Sequence, residues 1–187
     1  MTKYFYLVLI LIIPMQSFSQ IDTMALKTPE SVAAKMLEFI SFEKGETKDW
    51  DEFRNLFLPT AQMISLRPDA PVGRQVRTMN LEEFIRYAGP TYPKEGFEEI
   101  VIGVEVDEFN GIATVFQSFH CKTPSGSYEA RGVNTYQLVF LNGRWWIAST
   151  MFINESEAVK LPNEYLFEEY QTKSDKPKKK KRRSKKG

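Results

Sequence analysis

The stretch GVNTYQLVFLNGRWWIAST, Gly132 to Thr150, reads as two strands joined at Asn142-Gly143. Asn-Gly is a strong hairpin signal because both central residues of a type I′ turn need positive φ. Pairing Leu141 with Arg144 sets Phe140 opposite Trp145, Leu138 opposite Ile147, Tyr136 opposite Ser149 and Asn134 opposite Met151. One face then has a greasy end at Phe140 and Trp145 and a mixed end at Asn134, Tyr136 and Ser149. The other face carries Val133, Thr135, Gln137, Val139, Trp146, Ala148, Thr150 and Phe152, too apolar for ordinary solvated surface. Its expected cover is either a helix of the same chain over Glu164 to Tyr170 or a second subunit. A symmetric sheet-to-sheet homodimer is the preferred reading.

Upstream, Asn110-Gly111 marks a second hairpin. Its two-residue turn pairs Phe109 with Ile112 and Val106 with Val115, and Ile100, Ile102, Val104 and Val106 are read as one aliphatic face. The period before Glu98 is helical. Thr28-Pro29 starts a first helix with Val32, Met36, Phe39 and Ile40 as its stripe, ending at Gly45. Asp49 caps a second, with Trp50, Phe53, Leu56 and Phe57 buried and Pro59 as its stop; a short strand follows over Ala61 to Leu66, then a turn-rich stretch at Pro68 to Gly73. Asn80 with Glu83, or Thr78 just before, starts a third helix, with Leu81, Phe84, Ile85 and Ala88 buried and Gly89-Pro90 as the stop. Three helices followed by an antiparallel meander make an α+β domain.

The two ends differ from this middle. Lys3, the apolar run Phe5 to Ile13 and Pro14 form the n- and h-regions of a signal peptide, with Ser17 and Ser19 preceding a cut before Gln20. The run is too short to span a bilayer of about 30 Å, so residues 1–19 are read as a leader and the protein as exported, to the periplasm or the medium. At the other end, ten of the 25 Lys and Arg and one of the 24 Asp and Glu fall in Lys173 to Lys186, a net of +9. The remaining 15 basic and 23 acidic residues leave positions 1–172 at −8. The tail, 171–187, is expected to be disordered, and is either a solubilising end with no specific partner or a tether that touches anionic envelope components by charge alone, with no sequence-specific reading of nucleic acid. Residues 26–154 form the domain and 155–170 a C-terminal extension with helical potential.

Composition excludes several chemistries. Cys121 is the only cysteine and His120 the only histidine, so no intrachain disulfide and no Cys or multi-His metal site is expected. No Gly-rich phosphate loop is present, and no cofactor is expected.

The segments DWDEFRNLFLPTAQMI, VEVDEFNGIATVFQSF and GVNTYQLVFLNGRWWIAST, within Lys27 to Phe152, resemble the SnoaL-like branch of the nuclear transport factor 2 (NTF2) superfamily, Trp145 matching the usual Trp of the last strand. The resemblance implies a cone-shaped fold, with N-terminal helices on a strongly bent antiparallel sheet, a pocket between them and dimerisation through the sheet. Its enzymatic relatives act on carbonyl compounds. Many members carry an acidic residue just before the Ala that follows the second helix; Thr60 stands there, and a hydroxyl cannot take that base role.

The catalytic candidates are therefore His120, as an imidazole base, and the pair Glu129 and Arg131 as acid and anion clamp. The binding candidates are Asn134, Tyr136 and Ser149 from the mixed end of the hairpin and Trp50, Phe53 and Phe57 from the helix expected to close over it. Glu98-Glu99 reads as solvated face. The leading function is a non-catalytic domain binding a small apolar-plus-polar ligand or a protein; the alternatives are a lyase, isomerase or hydratase on a small carbonyl compound, and a dimeric structural module. For the leader, N-terminal sequencing of the exported protein should begin at Gln20, and an unprocessed Met1 on the exported form would refute the cleavage.

Overall fold

A computed structural model describes residues 26–67 and 75–171. The expected leader, the turn-rich stretch after Arg67 and the basic tail from residue 172 onward lie outside the described residues. The first helix, α1 (Pro29–Ile40), begins at a capping box: Thr28 accepts from the Ser31 N–H, and the Ser31 hydroxyl accepts from the Thr28 N–H. Its last carbonyls are satisfied from outside the helix. Lys48 Nζ donates to the carbonyls of Glu38, Phe39 and Ser41 and lies 4.7 Å from the centre of the Phe42 ring.

The second helix, α2 (Trp50–Arg54), is shorter than the apolar spacing predicts. Leu56 and Phe57 leave it because the sheet claims them: the Ile147 N–H bonds to the Leu56 carbonyl at 2.9 Å, and β1 (Phe57–Arg67) starts at once. Pro59 does not stop this element. It sits exposed in β1 before the pairing with β2 (Gln75–Met79) begins at Met63, where its missing N–H leaves no partner unmet.

Likewise α3 (Leu81–Glu95) runs through the expected stop at Gly89-Pro90. Proline inside a helix costs roughly 3 kcal/mol, and here the aromatic packing of the last turns opposes that loss. Tyr92 stacks on Phe97 with centroids 4.6 Å apart and meets Phe42 and Phe84 edge-on. The helix ends instead at Gly96, whose φ of 86° suits glycine alone.

Four strands complete the sheet: β3 (Glu98–Phe109), β4 (Ile112–Lys122), β5 (Glu129–Leu141) and β6 (Arg144–Asn154). The strand order is β2-β1-β6-β5-β4-β3. Both Asn-Gly turns have positive φ, and the tip registers Phe109 with Ile112 and Leu141 with Arg144 are those read from the sequence. The expected strongly bent, wholly antiparallel cone is overturned. β1 runs parallel to β6, so the sheet is mixed, and its edges β2 and β3 do not pair, so it stays open and is not strongly curled. Hairpins force antiparallel neighbours, whereas β1 and β6 are joined by most of the domain and their direction is set by packing.

Two bulges displace the registers away from the tips. Ile102 is an extra residue in β3, so Val101 pairs with Phe119 but Gly103 with Ser118. Ala148 is an extra residue in β6, so Tyr136 pairs with Thr150 and Asn134 with Phe152, in place of Ser149 and Met151. Consequently Ile100 and Ile102 do not share the face of Val104 and Val106, and Thr150 and Phe152 turn to the helices.

The outer sheet face is covered in part by the chain itself. Residues 155–171 cross it with two short 3-10 turns, Asn163–Tyr165 and Glu168–Tyr170. Leu166 is buried, Tyr165 packs on Phe116 at 4.7 Å, and the Phe167 N–H bonds to the Ile102 carbonyl at the bulge. A Cβ at Gly103 would collide with the Tyr165 carbonyl. Gly103→Ala should therefore cost about 1–3 kcal/mol in chemical denaturation and expose 155–171 to limited proteolysis; an unchanged midpoint and digest would refute this close approach.

Candidate functional site

Between α1, α3 and the inner sheet face lies a cavity of about 710 Å³, within the range of small-molecule sites. Its wall is mainly apolar: Met36 and Ile40 from α1, Phe84 from α3, and Met63, Met79 and Phe119 from the sheet. Phe53 and Phe57, which would otherwise compete for this space, pack on each other at 4.9 Å beside it.

One set of polar groups gathers where β3 begins. Phe42 and Phe97 exchange backbone hydrogen bonds, and the Glu99 N–H donates to Ser41 Oγ at 3.0 Å, fixing the end of α1 against β3. Before the Ile102 bulge the odd residues face inward, so Glu99 lines the cavity together with its strand partner Cys121. Asn134 Nδ2 donates to Glu99 Oε1 at 2.9 Å. Burial pushes the Glu99 carboxyl up to about 7, against the pull of the Asn134 hydrogen bond, which favours the charged form.

The neighbouring groups stay protonated. Burial raises the Tyr92 hydroxyl, with the Glu99 charge adding to it, and burial plus the same charge pushes Cys121 up to about 12. Tyr128, raised by burial, accepts from Asn154 Nδ2 at 2.8 Å. The corner thus offers one acid that changes charge near neutrality beside phenols and an amide that do not.

Of the residues singled out from sequence, Asn134 lines the cavity. Trp50 joins an aromatic cluster with Phe39, Phe42 and Phe53 outside it, its indole 3.6 Å from where a Cβ on Gly89 would stand. Phe53 stacks on Phe84, and Phe57 lies beneath. Tyr136 is fully buried, its hydroxyl donating to Gln117 Oε1 at 3.2 Å. Ser149 points away, because the Ala148 bulge gives its inward place to Thr150. His120 and Glu129 meet at 2.7 Å on the outer face, and Arg131 lies there too, its Nε 3.9 Å from Glu155. The structure therefore does not bring those three together with the cavity. Among the described residues, no group of three or more His, Cys, Asp or Glu is placed to share a metal ion.

Glu99 is the residue that the sequence reading left on the solvated face. Its parity with Phe97 and Val101 was the available signal, masked by the longer aliphatic series of Ile100, Ile102, Val104 and Val106 that the bulge interrupts.

No family model and no curated protein matches this sequence. Solved structures do. A protein of unknown function from Mycobacterium tuberculosis superposes with a TM-score of 0.53 at 13% identity, covering 69% of this chain and 71% of the other. A protein of unknown function from Nostoc punctiforme, described as having a cystatin-like fold, gives 0.51 at 11% identity, covering 68% and 89%. A candidate scytalone dehydratase from Novosphingobium aromaticivorans gives 0.50 at 12% identity, covering 68% and 81%. The overall fold is shared with these three solved structures. At these identities the likeness concerns architecture, not chemistry.

The raised Glu99 carboxyl has a measurable sign. The folded state holds this proton more tightly than the unfolded chain, whose carboxyl titrates near 4.5, so stability falls as pH rises from there through about 7. The carboxyl carbon of Glu99 in a labelled protein should titrate with a midpoint near 7, and Glu99→Gln should flatten that part of the stability profile. A midpoint below 5 would show a solvated carboxylate.

Proposed function

We propose that this protein is an exported, non-catalytic binding domain that holds a small, mostly apolar molecule in the cavity, with Glu99 and Asn134 engaging its polar group. Within the NTF2-like superfamily, the second-helix and hairpin segments favour the SnoaL-like branch. The observation that carries the reading is the cavity of about 710 Å³ with a mainly apolar wall and a hydrogen-bonding corner at Glu99 and Asn134. The outer face keeps exposed apolar side chains, among them Ile112 at 61% and Met151 at 43%, which suit association of two copies through the sheet. The basic tail would add charge-driven retention at anionic envelope surfaces.

A second reading is an isomerase, lyase or hydratase acting on a carbonyl compound. It is favoured by the same Glu99, because an acid with a pKa of about 7 inside a cavity is suited to general acid-base work. The two readings part at turnover. Protein purified without denaturation should release a small molecule detectable by mass spectrometry, and Met63→Trp, which fills the chamber, should abolish that cargo. Glu99→Gln should weaken its retention about tenfold, the scale of one hydrogen bond to a charged group. Conversion of the released compound by wild type but not by Glu99→Gln would replace binding with catalysis; no cargo and no effect of Met63→Trp on any probe would remove both readings.

A further inference from the structure

The cavity is electrically lopsided, and this deepens the binding reading, on which it rests. In the antiparallel β1–β2 pair, Ser65 stands opposite Arg77 and Arg67 opposite Gln75. Arg67 and Arg77 are therefore diagonal neighbours on one face, with Cβ atoms within about 7–8 Å, and both line the cavity along with Ser65. Like charges placed this way repel, and among the described residues neither arginine has a carboxylate partner within ion-pair distance. Among the described residues, Arg77 lies over the Tyr87 ring, whose centre is 5.6 Å from its guanidinium carbon. Both arginines are exposed to solvent at the cavity, and since residues 1–172 carry a net charge of −8, a cationic pair here stands out from its surroundings.

The acid lies at the other side of the chamber. From β1 to β3 the sheet takes four strand steps, through β6, β5 and β4. At roughly 4.8 Å per step this separates the arginine pair from Glu99 by on the order of 19 Å across the sheet. The other charges on the wall, Lys94 and Glu95, are consecutive on the last turn of α3 and offset one another. An anionic group thus gains from the arginine side and is repelled from the Glu99 side, while a neutral hydroxyl or carbonyl suits Glu99 and Asn134.

We infer that the ligand is an amphipathic organic anion, with its carboxylate, sulfonate or sulfate held by Arg67, Arg77 and the Ser65 hydroxyl. Its apolar body fills the Met and Phe chamber, and its far end points to Glu99. Guanidinium groups match such oxyanions with paired N–H donors, which makes the pair a selector of head-group charge as well as an attractor.

Two probes with one aromatic skeleton test this: anilinonaphthalene sulfonate, which carries the anion, and N-phenylnaphthylamine, which lacks it. Fluorescence titrations on the full chain should show the Arg67→Gln/Arg77→Gln variant losing tenfold or more in affinity for the sulfonate. Affinity for the amine should change less than twofold, and Arg67→Lys/Arg77→Lys should restore part of the sulfonate binding. Equal affinities of wild type and the Gln variant for the sulfonate would overturn the anion inference, and so would equal loss of both probes. Met63→Trp separates the two levels of the argument. If it abolishes amine binding while the arginine changes do nothing, the cavity reading stands and the anionic ligand falls; if it leaves both probes bound, both fall.

Discussion

A single extra residue in β3 controls what the cavity contains. Because side chains alternate along a strand, inserting Ile102 between the pairs Val101–Phe119 and Gly103–Ser118 reverses the parity of everything on one side of it relative to the other. Glu99 and Val101 thereby face inward on one side of the bulge, and Val104 and Val106 on the other. The same insertion turns Gly103 outward and frees the Ile102 carbonyl to accept from Phe167. The acid of the cavity and the docking of the C-terminal segment on the opposite face are thus two results of one irregularity. The Ala148 bulge in β6 does the corresponding work for Thr150 and Phe152.

The helices determine how this inner face is closed. Lys48 ties off the carbonyl end of α1, and the Phe42–Phe97 exchange holds that end beside the start of β3. α3 reaches the same region only because the Tyr92–Phe97 stack draws it past two prolines. Were the helix to end at Ala88, as its Gly-Pro sequence suggests, Tyr92, Lys94 and Glu95 would not be part of the wall. Aromatic packing therefore fixes the length of α3, and the length of α3 fixes the extent of the cavity.

Charge follows the sheet order. The arginines sit on the β1–β2 hairpin at one edge and Glu99 on β3 at the other, so the cavity has a cationic side and a weakly acidic side separated by an apolar middle. A chamber with that polarity orients an elongated guest by electrostatics before any contact is optimised. The parallel join of β1 to β6 is what places the arginine hairpin against the rest of the sheet, and so it contributes to the site as well as to the fold.

Local sequence was enough for whatever depends on neighbours in the chain. Asn110-Gly111 and Asn142-Gly143 fixed two hairpins and their tip registers, Thr28 and Asn80 fixed two helix starts, and period-two runs identified four strands. Asn134 was legible as a cavity residue because it lies on the inward parity of β5, a strand without an inserted residue. Glu99 was not, since reading it requires knowing that β3 bulges at Ile102. Trp50, Phe53 and Phe57 were legible as buried aromatics, but whether a buried ring lines a cavity or fills a core depends on what packs against it. The direction of β1, the run of α3 past its prolines and the meeting of Arg67, Arg77 and Glu99 around one chamber were decided by the tertiary structure alone. Turns and caps are set by a few consecutive residues; strand direction, bulge parity and cavity walls are set by packing between segments far apart in the chain, where each side chain's preference is small and the sum of contacts prevails.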